Sequence, residues 1–276
     1  MPYWEHHWQH VTGLTRALMP LSVLFCTVVR VRRAAYRAGI LKSSKPPVPV
    51  IIVGNISVGG TGKSPLAAAL ARELRQRGRK PGIVLRGYRA RGTRWPLLIA
   101  HDTGAAAAGD EAIVHFRTSE CPVVVDPNRA RGAQYLYEHC GCDTIVSDDG
   151  LQHYALARDV EIAVLDGTRG VGNGWCLPAG PLRETVRRLR TVDAVLTQHD
   201  DAGPTAFRLE PRGIRRVDDS GETLAPSALH GQRVHAVAGI GNPRRFFAAL
   251  ATLGMDPIPH PLPDHHVFRE TDLRFG

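Results

Sequence analysis

One segment decides most of what this chain can become: Val50-Ile51-Ile52-Val53, then Gly54 through Gly62, then Lys63-Ser64-Pro65. The apolar, mostly β-branched run suits a buried strand, and Pro65 suits the first turn of a helix, where its missing N–H costs nothing. Between them Ser57, Val58, Gly59, Gly60, Thr61, Gly62, Lys63 and Ser64 make a glycine-rich turn. Gly59, Gly60 and Gly62 carry no Cβ, so backbone N–H groups can close on a phosphate, and the helix start adds the positive end of its dipole. Lys63 can reach the β- and γ-phosphates of a nucleotide, and the Ser64 hydroxyl can bind Mg²⁺. The usual phosphate loop opens with Gly, where this chain has Ser57.

Around this loop, apolar runs recur at Val48 to Val53, Gly82 to Leu85, Pro122 to Val125, Thr144 to Val146, Glu161 to Leu165, Ala194 to Thr197 and Val234 to Ala238. Continuous short runs predict strands buried on both faces. Helical patterns such as Pro65 to Arg77 and Arg129 to His139 lie between them, so the repeating unit is βαβ. The expected fold is α/β, a P-loop NTPase-like, mostly parallel sheet with helices on both faces. Polar residues with Gly203, Pro204, Pro211, Gly213 and Gly221 break the periodicity near Asp200 to Ser227. The chain is therefore read as an N-terminal region 1–45, a P-loop core lobe 46–200 and a smaller C-terminal α/β lobe 201–276. The cleft between lobes is the natural ligand site.

The formal net charge is +9, and its placement is informative: seven basic residues against the single acid Glu5 lie within the first fifty. They surround an apolar run, Leu18 to Val29, interrupted by Pro20, Ser22 and Thr27. That run is too short and broken to span a bilayer, which needs about 20 apolar residues. Arg30, Arg32 and Arg33 follow it, whereas a signal peptide carries its charge in front. The pattern predicts an interfacial helix, its Leu and Phe in the acyl boundary, its arginines on an anionic membrane surface, and Tyr3, Trp4 and Trp8 at head-group depth. The competing reading is a helix packed on the domain with a solvated basic face. Nucleic acid is not an expected partner, because the excess charge flanks an apolar run and no aromatic platform. The five cysteines are odd in number and scattered, which suits a reducing compartment better than a disulfide framework. Cys140 and Cys142 have no second pair nearby to complete a zinc site.

A phosphate loop needs an acid at the tip of a neighbouring strand to hold its metal. Asp148 and Asp149 follow the run Thr144 to Val146 closely, and two adjacent carboxylates repel unless a cation lies between them, which points to Mg²⁺. The alternative is a plain Asp149-Gly150 turn. Asp110, in Gly109-Asp110-Glu111, reads by itself as a helix N-cap, although transfer to a hydroxyl also needs a group to take the proton. Of the histidines, His6, His7 and His10 are expected on a polar helix face and His139 and His199 at the surface. His153 and His265 stand in polar loops that suit the cleft.

Eight segments together carry a resemblance. They are Gly54 to Pro65, Arg86-Gly87-Tyr88, Gly109-Asp110-Glu111, Pro127-Asn128-Arg129, Asp148 to His153, Asn173-Gly174-Trp175 with Leu177 to Glu184, Gly239 to Pro243, and Asp264-His265. In this order, across nearly the whole chain, they resemble the tetraacyldisaccharide 4′-kinases, the lipid A pathway enzymes of Gram-negative bacteria. The resemblance implies transfer of the γ-phosphate of ATP, with Mg²⁺, to the 4′-hydroxyl of a tetraacyldisaccharide 1-phosphate. It also implies an N-terminal helix on the cytoplasmic face of the inner membrane, a lipid disaccharide as substrate and no obligate protein partner. By motif, Lys63 is catalytic, Asp110 is the acid of a catalytic pair with His265, and Asp149 with Asp148 and Ser64 lies on the metal side. Ser57 is no departure here, since the family usually has Ser or Thr there. Arg183, Asn173 and His153 are carried over to the acceptor, Arg183 as a planar partner for its anomeric phosphate.

Family members continue past the position of Gly276 and carry a Thr-Glu-Lys-Asp segment, so the chain reads as a truncated member. A partition-type membrane ATPase is the first rival, but those loops place a second Lys where this chain has Val58. A nucleotide-gated binding module without turnover is the second.

Overall fold

The computed structural model describes residues 3–198, 205–211, 213–217, 222–263 and 266–275, with side chains of the first helix described from residue 6 onward. The chain separates into two compact units, Met1–Arg208 and Leu209–Gly276. The division falls inside the polar stretch that the sequence marks as a boundary.

The first unit holds β1 (Val50–Gly54), β2 (Pro81–Leu85), β3 (Leu97–Leu98), β4 (Val123–Val125), β5 (Thr144–Asp148), β6 (Val160–Asp166), β7 (Ala194–Gln198) and β8 (Ala206–Phe207). They form one sheet in the order β3-β4-β2-β5-β1-β6-β7-β8. Every neighbouring pair is parallel except β3 with β4. Each apolar run predicted as a strand in this unit is one. The central strands are buried on both faces, which is why they read as unbroken Val and Ile runs.

Its helices are α1 (Tyr3–Gln9), α2 (Gly13–Arg37), α3 (Lys63–Gln76), α4 (Ala105–Ala108), α5 (Asp110–Ser119) and α6 (Arg129–Cys140). One core cluster joins Ala67 and Ala71 of α3 and Ala112 of α5 to Val53, Ile83 and Val146. The other joins Ala133 and Leu136 of α6 to Ile52, Ile145, Leu151 and Leu182, with Phe25 and Cys26 of α2 against it. The second unit pairs β9 (Ile214–Arg215) with β10 (Thr223–Leu224) antiparallel, and β11 (Arg233–Ala238) with β12 (Asp256–Pro261) in parallel beside α7 (Pro243–Thr252).

Helix α2 departs from expectation in three ways. It runs 25 residues, past both ends of the apolar run and through Pro20, so by length and composition it is long and apolar enough to cross a membrane. Its start is fixed by a capping box of Thr12 and Thr15, and the Nδ1 of His7 lies 2.8 Å from Thr12 Oγ1. That bond draws His7 out of solvent, so it is buried and does not lie on a polar face. The third correction concerns the cysteines. Ser22 Oγ donates to the Cys176 carbonyl at 2.8 Å, and this docking sets Cys26, one turn on, opposite Cys176 in a disulfide with Cα atoms 6.4 Å apart. Cys121, Cys140 and Cys142 remain free. Burial first, then Cys140, pushes the Cys142 thiol up to about 12, far from a thiolate ligand. The face of α2 away from this docking seam leaves Leu21, Leu24, Val28 and Val31 exposed.

Gly82 marks how closely α6 lies on β2. A Cβ there would meet Cys142 Sγ at 2.7 Å and Leu136 Cδ2 at 2.9 Å. Gly82→Ala is expected to destabilise the protein by about 1–3 kcal/mol through overpacking, read as a lower denaturation midpoint with unchanged slope. An unchanged midpoint would mean a looser seam than the distances indicate.

Candidate active site

The parallel register of β1 and β5 sets Val53 beside Asp148, so the loop leaving one strand and the acids ending the other share one sheet edge. Ligands of open α/β sheets bind at such an edge. From Ser57 the loop is pinned from outside: Val58 N donates to Pro181 O at 2.9 Å and Arg183 N to Ile56 O at 2.7 Å. It is braced from inside by fully buried Asn55, whose amide donates to Thr61 Oγ1 at 3.2 Å and Gly59 O at 3.4 Å. Gly62 caps α3 at φ +83°, and a Cβ there would meet Gln198 Oε1 at 2.8 Å, so only glycine fits. Lys63 and Ser64 open the helix. Above the loop Arg169, held by Asp166 at 3.1 Å, donates to the Gly60 carbonyl at 2.5 Å.

Asp148 and Asp149 diverge. Asp148 is almost wholly buried, accepting from its neighbour's N–H at 2.8 Å with the Nε2 of equally buried His115 at 2.8 Å. Burial alone would push its carboxyl up, but His115, Lys63 and the Ser64 hydroxyl outweigh that and hold it below the usual range. Asp149 turns the other way at φ +49°, a left-handed conformation that Asp tolerates better than most residues. Its carboxylate receives Arg183 Nη1 at 2.9 Å on both oxygens and lies 3.7 Å from Lys63 Nζ, while its carbonyl accepts from buried Arg129 at 2.7 Å. The repulsion that the sequence assigned to a shared cation is thus relieved by two separate sets of partners.

Asp110 is the first residue of α5, with Gly109 as the cap at φ +86°, so Asp110 is not the N-cap. Glu111 beside it is exposed as a residue, yet loss of water around its carboxyl and then the charge of Asp148 push it up, with Lys63 opposing. The start of α5 therefore faces the phosphate loop. His153 lies half-buried just past the acid tip, its backbone N–H donating to the Gly150 carbonyl at 2.9 Å. Burial first, then Arg129, Arg158 and Arg86, lowers it to about 4, so its imidazole is neutral at pH 7. Asn173 stands elsewhere: its amide donates to His7 O at 3.2 Å and Ala179 O at 2.9 Å, and its Oδ1 accepts from Trp175 N, which makes it a loop fastener. His265 lies outside the described residues.

The structure thus brings together Ser57 to Ser64, Asp148, Asp149, Arg183 and the start of α5. His115, Glu111, Arg129 and Asn55 are additions that residue-by-residue reading passes over. Asn55, Glu111 and Arg129 lie in segments that carry the resemblance, and Glu111 and His115 stand four apart on one helix face. Among the described residues no three His, Cys, Asp or Glu side chains cluster as a metal cage. Ser64 with the two aspartates is a hard-oxygen set, which fits a cation that keeps several waters and binds largely through phosphate.

A lysine at the first position of a helix behind a glycine cradle, with its neighbour's hydroxyl on a buried strand-tip acid, places the chain among the P-loop phosphotransferases. Residues 14–276 match the family described as tetraacyldisaccharide-1-P 4′-kinase. The chain is 49% identical over 278 residues to the tetraacyldisaccharide 4′-kinase of Alkalilimnicola ehrlichii, covering 100% of this chain and 80% of that one. It is 45% identical over 261 residues to that of Nitrosococcus oceani, covering 94% and 77%. The solved LpxK of Aquifex aeolicus in complex with ATP superposes with a TM-score of 0.76 at 29% identity, covering 92% of this chain and 83% of the other. The chain belongs to the tetraacyldisaccharide 4′-kinase family.

Two outcomes follow from the buried histidines and acids. His115→Leu leaves Asp148 a buried charge without its partner, and is expected to cost about 3–5 kcal/mol in equilibrium unfolding. A loss below 1 kcal/mol would show that Asp148 does not depend on the imidazole. Wild-type stability should fall as pH drops from about 6.5 toward about 4, because the unfolded chain takes up a proton that folded His153 refuses. His153→Asn should flatten that window, and parallel curves for the two proteins would contradict a neutral His153.

Proposed function

We propose that the chain transfers the γ-phosphate of ATP to the 4′-hydroxyl of a tetraacyldisaccharide 1-phosphate at the cytoplasmic face of a bacterial inner membrane. The observation that carries this is Lys63, first in α3 and 3.7 Å from Asp149, in a chain of this family. Its family gives neither the partition-type ATPase nor the module without turnover any support.

In this reading the amides of Gly59 to Ser64 take the phosphates, and Lys63 turns from Asp149 to the transferring group. Ser64, Asp148 and Asp149 would hold Mg²⁺, which supplies positive charge to the phosphate oxygens when bound. Asp148 keeps its place because His115 holds it. Asp110 accepts the proton of the acceptor hydroxyl. Arg183, carried over to the acceptor's anomeric phosphate, is engaged with Asp149, which supports a role for it in setting the acid tip. The apolar face of α2 lies in the membrane surface, with its arginines among anionic head groups.

Incubation with γ-labelled ATP and the disaccharide lipid should place the label on the 4′-oxygen. Asp110→Asn should lower kcat by about 10²-fold or more while leaving ATP affinity within about twofold. Wild-type turnover in that variant would remove Asp110 as the base, and an unlabelled lipid with the wild-type chain would overturn the function.

A further inference from the structure

A cavity of about 390 Å³ opens between the C-terminal end of α2 and the core. It is lined by Arg33 and Arg37 of α2, by Tyr154, Arg158 and Glu161, and by Arg188. Four guanidiniums therefore face one carboxylate in this lining, with Glu184 behind them. Arg158 and Arg188 are committed to that carboxylate: Arg158 reaches Glu161 at 2.8 Å, and Arg188 pairs with Glu161 and lies 3.5 Å from Glu184. Arg33 donates to the Thr191 hydroxyl at 2.8 Å, and neither Arg33 nor Arg37 has a carboxylate within ion-pair distance among the described residues. Burial, then the charge of Arg188, lowers the Arg33 guanidinium below its ordinary value, outweighing the opposing influence of Tyr154, Glu184 and Glu161.

Uncompensated guanidiniums around a cavity have an obvious chemical complement. Planar forks of N–H donors match phosphate oxygens bidentately, and a cavity of this size holds a phosphate ester with its waters. The position says where such a group would come from. Leu24, Val28 and Val31 are exposed on the face of α2 turned away from the Cys26 and Ser22 seam, while Arg33 lies on the seam side. A helix whose apolar face enters the acyl boundary by about 5–10 Å carries its opposite side at head-group depth.

We propose that the cavity of Arg33, Arg37, Arg158 and Arg188 is a discrete site for a phosphate group, borne by an anionic lipid of the membrane on which α2 lies. This deepens, and rests on, the reading of α2 as a membrane-surface helix. It adds a stoichiometric site to what is otherwise diffuse attraction. A consequence reaches the catalytic edge. Arg188 lies against Glu184, which accepts from Gln152 at 2.9 Å, and Gln152 also donates to the Asn55 carbonyl at 3.0 Å. The floor of the cavity and the brace of the phosphate loop share one hydrogen-bonded chain.

The test compares the full chain with two double variants of equal charge. Arg33→Gln with Arg37→Gln alters the cavity, and Arg16→Gln with Arg30→Gln alters exposed arginines outside its lining. Arg37→Gln alone, at an exposed position, serves if the first double variant folds poorly. Binding is measured to phosphatidylcholine vesicles with and without phosphatidylglycerol, and thermal shift is measured in neutral micelles with inorganic phosphate against chloride at equal ionic strength. The expected result is at least a tenfold greater loss of affinity for phosphatidylglycerol vesicles in the cavity variant than in the control. That loss with no selective phosphate shift assigns a lipid-borne group. A phosphate shift missing only from the cavity variant assigns a site open to free phosphate as well. Equal vesicle losses with equal shifts in all three proteins overturn the site but leave the anchor standing. A wild-type chain indifferent to phosphatidylglycerol overturns the anchor and the lipid source, and the phosphate arm then decides the cavity.

Discussion

A carboxylate taken wholly out of water must be held by something, and the holding of Asp148 organises the phosphate edge of this sheet. Its partners come from three elements: the His115 imidazole from α5, the Ser64 hydroxyl from α3 and the N–H of Asp149 from its own turn. Losing any one leaves a buried charge underbonded, at a cost of several kcal/mol, so the three elements are fixed relative to one another. Because α5 is anchored through His115, its first residue, Asp110, is placed five residues or about 7.5 Å along the axis from that bond. The position of the proposed base thus depends on a side chain that never touches a substrate.

The acid tip also explains why its second carboxylate is available. Asp149 adopts a left-handed backbone that turns it from the interior toward Lys63 and Arg183. It is only partly buried, so its ion pairs lie in a setting where solvent weakens them and exchange of partners is cheap. Asp148 is a fixed support, and Asp149 is a contact that can open when phosphates arrive.

The strands, the loop and α3 were legible in the sequence because each depends on local chemistry: unbroken Val and Ile runs, glycines lacking Cβ, and Pro65 in a first helical turn. Partner choice was not legible. Nothing local in Asp148-Asp149 says that one side chain enters the core and the other leaves it, since that follows from a single φ angle and from a histidine 33 residues earlier. Cys26 and Cys176 lie 150 residues apart, and only the docking of α2 brings them together. His7 looked polar by neighbourhood, and a bond to Thr12 buried it. Asn173 and Arg183 have the residue types of ligand contacts, yet their hydrogen bonds go to the chain itself.

Those bonds give the segment from Asn173 to Glu184 a structural purpose. At one end Asn173 holds the carbonyl of His7 in α1, and the Cys176 carbonyl and sulfur hold α2 through Ser22 and Cys26. At the other end Pro181 and Arg183 fasten the backbone of Ile56 and Val58, and Glu184 receives Gln152 and Tyr154. Twelve residues therefore tie the helix with the exposed apolar face directly to the phosphate loop. The height of that loop above the apolar face of α2 is set by covalent and hydrogen bonds within the protein, not by where lipids happen to rest. On the proposed reading, in which α2 lies on a membrane and the acceptor is a lipid within it, a fixed height would confine productive encounters to one depth and supply orientation that contacts to the sugar would otherwise have to provide.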